Sequence, residues 1–124
     1  MTRPNGLTIT TVNLSAPDPV ALARFYQRLL KMEVVEEAPD WVLLRDPAGG
    51  VGLAFQTESP YARPNWPAGP GEQQMMAHLE IRVDDLESAV GHATACGASV
   101  ADFQPQDDVR VCLDPAGHPF CLYL

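Results

Sequence analysis

The sequence is poor in basic residues, and it contains no long apolar run. It has 8 Lys and Arg against 16 Asp and Glu, which gives a formal charge of −8. Nucleic-acid binding requires clustered cations that neutralise phosphates, so the composition predicts no nucleic-acid partner. No stretch approaches the roughly 20 apolar residues of a membrane span, so we expect no membrane partner either.

Cysteine is scarce, and the start of the sequence lacks a secretory signal. Cys96, Cys112 and Cys121 are odd in number, and their spacing matches no zinc motif. Free thiols are typical of a reducing cytosol. Residues 1–6 contain no apolar stretch of the kind that directs secretion. We therefore expect a cytoplasmic protein.

Several familiar catalytic motifs are absent from the sequence. It has no Gly-rich phosphate loop, no Cys-x-x-Cys pair and no Gly-x-Ser-x-Gly turn. A cysteine nucleophile at Cys121 with His78 as its base is disfavoured, because a cysteine on a terminal strand is usually a small buried hydrophobe. At 124 residues with 46% hydrophobic and 19% charged residues, the chain is expected to form a single globular domain.

One turn sequence occurs twice, as Asp-Pro-Ala-Gly-Gly at 46–50 and as Asp-Pro-Ala-Gly-His at 114–118. Proline fixes φ near −65° and glycine accepts a positive φ, so this sequence is typical of chain reversals. Apolar, strand-like residues flank both copies. Each copy is therefore predicted to be the turn of a β-hairpin.

The two halves of the chain show the same order of predicted elements. The first has a strand over Leu7–Asn13, a helix over Pro19–Leu30 capped by Asp18, and strands near 34–35, 41–44 and 51–55. The second has a strand over Ala77–Val83, a helix that follows the Asp84-Asp85 cap and ends at Gly97, and strands over 100–103, 109–113 and 120–124. Each half is thus predicted to be a βαβββ module.

The segment between the halves is rich in proline and glycine and is predicted to form no regular element. Its Tyr61 and Trp66 are expected to fold back over a neighbouring surface, either as packing or as ligand contacts. We expect one domain over 1–124, with module 1 at about 6–57, this linker at about 58–74 and module 2 at about 75–124.

Three stretches, 18–30, 78–86 and 114–120, give the sequence its resemblance to the vicinal oxygen chelate superfamily, which includes glyoxalase I, extradiol dioxygenases and bleomycin-resistance proteins. Lys31 is a departure, since the family usually has glycine after Leu29-Leu30, and we therefore expect this helix to end without its usual left-handed residue. The resemblance implies an α+β fold, in which two tandem βαβββ modules form curled mixed sheets around a concave cup. This is the glyoxalase/bleomycin resistance/dihydroxybiphenyl dioxygenase fold.

Enzymes of this superfamily hold a divalent metal in the cup with His or Gln and Glu from the first and last strands of each module. Matching the motifs places these positions at Thr11, near Leu53, at His78 and at Cys121. Only His78 is a good ligand, and a divalent ion needs three or four protein donors. We therefore predict no metal and no other cofactor.

Strand alternation places Glu80 and Arg82 on the same face as His78. These three side chains either contact a ligand or satisfy one another along a solvated face. Together with the corresponding faces of the other strands and nearby aromatic residues, they give these candidate ligand-binding residues: Thr11, Asn13, Trp41, Phe55, Trp66, His78, Glu80, Arg82, Cys121 and Tyr123.

The resemblance and the incomplete ligand set favour a homodimeric protein that binds a small organic molecule without the usual metal, as bleomycin-resistance proteins do by sequestration. The alternative is a lyase, isomerase or dioxygenase that uses His78 with a metal, or that uses His78 or Glu80 as an acid or base. A third alternative is association with a partner through the sheet.

Overall fold

The computed structural model describes residues 3–124, and the chain divides into two units between Glu58 and Ser59. Each unit contains one helix and one four-stranded mixed sheet, as predicted for two βαβββ modules of the α+β class. Within residues 3–124, neither helix is long and apolar enough to cross a membrane.

The sheet of the first unit has the strand order β1-β4-β3-β2, in which only the β1–β4 pair is parallel. A short 3₁₀ turn at Pro4–Gly6 precedes it. The elements are β1 (Thr11–Ala16), α1 (Pro19–Leu30), β2 (Glu33–Ala38), β3 (Trp41–Arg45) and β4 (Gly52–Thr57).

The second unit repeats this arrangement with the strand order β5-β8-β7-β6 and a parallel β5–β8 pair. Its elements are β5 (Leu79–Arg82), α2 (Leu86–Cys96), β6 (Ser99–Val100), β7 (Val109–Leu113) and β8 (Pro119–Tyr123). In both modules the first strand runs parallel to the last, so the chain must cross the sheet between them. The helix makes this crossover, and both modules therefore have the same order of elements.

Both helices begin at the predicted aspartate caps. The Asp18 carboxylate accepts a hydrogen bond from the Ala21 amide (3.1 Å), and the Asp85 carboxylate accepts one from the Ser88 amide (2.8 Å). Capping satisfies amides that the helix itself cannot bond. The apolar stripe of α1 then packs against its sheet, burying Leu22, Ala23, Phe25 and Tyr26.

Several strands differ from their predicted extents, among them β1 and β6. Strand β1 begins at Thr11 rather than Leu7 and continues to Ala16, because its partner β4 begins opposite Thr11. Strand β6 has only two residues, whereas a strand over 100–103 was predicted. Here the Gln104 side chain takes the place of a strand, since its amide donates to the Val111 carbonyl and accepts from the Val111 amide, both at 2.9 Å.

Both predicted hairpin turns form, and each contains the same pattern of internal hydrogen bonds. The Asp46 carboxylate accepts from the Ala48 amide, and the Asp114 carboxylate accepts from the Ala116 amide, both at 2.9 Å. Gly49 and Gly117 adopt φ of 92° and 94°, the conformation for which glycine is needed. The first turn is one residue longer, since 46–51 join β3 to β4 whereas 114–118 join β7 to β8.

The second turn is more deeply embedded than the first. The Asp114 residue is only 1% exposed, and its carboxylate also accepts from the His118 amide (3.0 Å) and lies 2.9 Å from the His118 Nδ1. A buried carboxylate without such partners would be costly. Asp114 is therefore a structural anchor, whereas Asp46 stabilises a turn at the surface.

Lys31 ends α1 in the left-handed conformation, with φ 53° and ψ 45°. The sequence alone suggested that this helix would manage without the left-handed residue that glycine usually supplies. Instead the conformation is retained, and lysine occupies it. Such a residue costs roughly 1–2 kcal/mol when it has a Cβ.

We expect Lys31→Gly to stabilise the protein by about 1 kcal/mol, because glycine removes the left-handed strain but loses more backbone entropy on folding. Urea denaturation measures the change in the free energy of unfolding. Lys31→Ala serves as the matched control and should change it by less than about 0.5 kcal/mol, since alanine retains the strain. Equal effects of the two variants would contradict this account.

Asp114→Ala is expected to lower the free energy of unfolding by about 2–4 kcal/mol, because it leaves two amides of a buried turn without their acceptor. The equivalent change in the first turn, Asp46→Ala, removes one bond at the surface and should cost about 1 kcal/mol or less. Thermal and urea denaturation of the two variants provide the comparison. A larger loss for Asp46→Ala would show that the first turn contributes more to stability than the second, contrary to this prediction.

Candidate functional site

His78, Glu80 and Cys121 come together on one face of the second sheet. Glu80 lies directly opposite Cys121 on the parallel β5–β8 pair, and His78 precedes Glu80 by two residues. His78 Nε2 is 2.8 Å from Glu80 Oε1. The imidazole nitrogen, the carboxylate oxygen and the Cys121 sulfur all lie within 4.8 Å of one another. The alternation of side chains along β5 thus predicted that His78 and Glu80 share a face. The parallel pairing of β5 with β8 adds the Cys121 thiol to that face.

The three side chains differ in exposure and in their electrostatic surroundings. Cys121 is only 3% exposed, whereas the side chains of His78 and Glu80 are 23% and 54% exposed. Burial, with smaller contributions from Glu80 and Cys112, raises the pKa of the Cys121 thiol to about 11. Without a neighbouring cation, Cys121 is therefore a neutral thiol near pH 7.

Trp66 lies against His78, as the fold-back of the proline-rich segment predicted. The centroid of its ring system is 4.6 Å from that of the imidazole, with 32° between the ring planes. Its second aromatic neighbour is Phe103, at 5.3 Å and 60°. Sequence reasoning missed Phe103 because the apolar stretch around it was interpreted as a strand. We refer to Trp66, His78, Glu80, Phe103 and Cys121 as the β5 patch.

The proline-rich segment is attached to the second turn just before Trp66. The Tyr61 hydroxyl donates to the Ala116 carbonyl (2.9 Å) and lies 3.3 Å from His118 Nε2. The Arg63 guanidinium donates to the Pro115 carbonyl (2.9 Å). These bonds fix the path of the segment and thereby restrict where the indole can lie. Burial, reinforced by the charge of Asp114, raises the pKa of Tyr61 and keeps its hydroxyl a donor.

Arg82 and Tyr123 lie at the far end of the β5–β8 pair, directly opposite each other. The Arg82 guanidinium is 3.4 Å from the Asp84 carboxylate, and both side chains are well exposed. The register keeps Arg82 on the face of the β5 patch, two residues beyond Glu80.

The candidates of the first unit are more dispersed. The Asn13 amide donates to Gln56 Oε1 (3.2 Å), and the Trp41 indole donates to Glu36 (3.0 Å). The Thr11 hydroxyl is 3.2 Å from that of Thr10. In this unit the polar side chains therefore satisfy one another in pairs.

Phe55 does not share the face of Thr11 and Asn13. It is completely buried and stacks on Tyr26 of α1, with 5.6 Å between ring centroids. The register explains this position, since Asn13 lies opposite Ala54, and the neighbouring residue in β4 must point to the other face. Phe55 is thus a core residue beneath the helix rather than part of an open ligand-binding face.

The two-module metal site implied by the sequence resemblance does not fit these residues. Its first-strand position in unit 1 is Thr11, which shares a face with Gly52 and Ala54 of β4. The longer first turn therefore makes Ala54 the counterpart of Cys121, rather than the Leu53 proposed from the sequence. Neither Ala54 nor Leu53 carries a metal-ligating atom, and Cys121 stands where metal-using relatives have glutamate.

Several solved structures have the same fold as this protein. The glyoxalase family protein from Enterococcus faecalis is 23% identical with a TM-score of 0.70, and the match covers 94% of this chain and 97% of that one. The glyoxalase/bleomycin resistance protein/dioxygenase family enzyme from Burkholderia phytofirmans PsJN is 20% identical, with a TM-score of 0.68 and coverage of 91% and 94%. Lactoylglutathione lyase from Agrobacterium tumefaciens is 17% identical, with a TM-score of 0.61 and coverage of 94% and 92%. The fold is that of the vicinal oxygen chelate superfamily.

The family follows from the sequence itself. The sequence model of the glyoxalase-like domain family matches residues 11–123, which is nearly the whole chain. A search among curated proteins found no significant match. The chain belongs to the glyoxalase-like domain family.

Proposed function

We propose that the protein binds a small organic molecule at the β5 patch and does not require the two-module metal of its superfamily. The observation that carries this proposal is the position of Trp66, whose indole lies against the His78 ring while His78 is hydrogen-bonded to the exposed Glu80 carboxylate. Aromatic surface beside convergent polar groups is the usual composition of a small-molecule site.

The patch offers different chemistry to the two ends of such a ligand. The rings of Trp66 and Phe103, inclined at 60°, provide faces and edges for a flat apolar body. The carboxylate of Glu80 and the imidazole of His78 provide hydrogen bonds for its polar end. The carboxylate and the net charge of −8 favour a positively charged polar end. Sequestration by a homodimer, as in bleomycin-resistance proteins, is the form of this function that we propose.

Trp66→Ala is expected to weaken binding by about tenfold, because it removes the stacking surface. Isothermal titration calorimetry in the presence of a chelator, against cationic glycopeptide antibiotics and aromatic metabolites, measures the dissociation constant. Trp66→Phe supplies the matched control, since it keeps an aromatic ring at this position and should retain most of the affinity. If no compound in the panel gives saturable binding, the proposal is wrong.

The second candidate function is acid–base catalysis by His78 and Glu80. It is favoured by their 2.8 Å hydrogen bond, which joins an imidazole to a carboxylate that can orient it. A compound that binds the patch with an acidic C–H or O–H near His78 would then be deprotonated. Lyase, isomerase or dioxygenase activity would be the corresponding reaction class within the superfamily.

His78→Ala distinguishes catalysis from binding. If His78 is the base, this variant should lose at least about 100-fold in turnover while its affinity for the same compound changes much less. Kinetic assay and calorimetry on one preparation give the two values. His92→Ala, on the exposed side of α2, is the control and should retain both. Equal turnover of the His78 variant and the unchanged protein would exclude this role.

A further inference from the structure

We propose that His78, Glu80 and Cys121 form a site for a thiophilic divalent cation such as Zn²⁺ within the second module alone. This site differs from that of the superfamily enzymes, in which both modules contribute ligands and glutamate occupies the last-strand position. Here the thiol replaces that glutamate, and the carboxylate comes instead from the first strand, two residues after the histidine.

The backbone fixes the relative positions of the three donors. Glu80 and Cys121 are direct partners on adjacent parallel strands, so their side chains emerge side by side from one face. The strand period of two places His78 on the same face. The convergence therefore depends on strand register rather than on the chance orientation of flexible surface side chains.

The separations of the donor atoms suit a small ion after modest side-chain rotation. Zinc binds nitrogen and carboxylate oxygen at about 2.0–2.2 Å and thiolate sulfur at about 2.3 Å, so its tetrahedral ligands lie roughly 3.3–3.7 Å apart. The three donor atoms here span separations from 2.8 Å to at most 4.8 Å. An ion between them would lengthen the His78–Glu80 contact.

The chemistry of the donor set selects the class of metal. A thiolate with an imidazole suits zinc or cobalt, whereas magnesium and calcium prefer sites built entirely from oxygen. One thiolate and one carboxylate would neutralise a divalent charge. The indole lies against the His78 ring, and three protein donors would leave the fourth tetrahedral position to a solvent molecule or ligand. Three protein ligands with one open position are typical of catalytic rather than structural zinc.

Cobalt binding provides the direct test. We expect the reduced, untagged, chelator-treated full chain to bind one Co²⁺ and to develop the near-ultraviolet charge-transfer band of a cobalt–thiolate bond. Zn²⁺ should displace it. Cys121→Ser should abolish the band, while Cys112→Ser should retain it, because Cys112 is equally buried but lies opposite Phe120 on the other face of the sheet.

A second variant keeps the test decisive if Cys121→Ser does not fold. Glu80→Gln changes an exposed side chain, and we expect it to weaken Co²⁺ binding by at least about tenfold. Absence of saturable Co²⁺ and Zn²⁺ binding would overturn the proposal, as would a thiolate band that persists without Cys121 or unchanged affinity in Glu80→Gln. The Co²⁺ titration contains no organic ligand, and the organic-ligand titration contains a chelator. The metal proposal and the organic-ligand proposal can therefore fail independently.

Discussion

Each module depends on the parallel pairing of its first strand with its last. This pairing brings together residues that are about forty positions apart, such as Glu80 and Cys121 or Asn13 and Ala54. A hairpin cannot join parallel neighbours, so the chain must cross over through a helix before it returns. The helix then covers one face of the sheet, which leaves the other face for polar side chains. The composition of the β5 patch follows directly from this constraint.

The repeated turn shows how one local sequence serves two purposes. Both copies close a hairpin through the same aspartate-to-amide bond and the same left-handed glycine. The second copy carries His118 in place of Gly50, and that imidazole joins the buried Asp114 to the Tyr61 hydroxyl. The turn thereby also holds the proline-rich segment, which in turn carries Trp66 to His78. His118, together with the Pro115 and Ala116 carbonyls, thus links the closing hairpin to the candidate site.

Features that arise from local interactions could be predicted from the sequence. The helix over Pro19–Leu30, its Asp18 cap, both turns and the shared face of His78 and Glu80 depend on neighbours within a few residues. Features set by distant partners could not. The short β6 depends on the Gln104 side chain, and the core position of Phe55 depends on the β1–β4 register.

The two modules share one framework, but their open faces differ. In the first, Thr11 and Ala54 occupy the positions at which relatives bind metal, and its polar side chains bond to one another. In the second, three different donor groups converge beside an aromatic surface. Thr11 and Ala54 supply no metal ligand comparable to those of the second module, so the proposed ion would be held by the second module alone. A thiolate would partly compensate, since it binds zinc more strongly than a carboxylate does and neutralises as much charge. In the proposed site, the cysteine at the last-strand position is therefore the residue on which metal binding would depend.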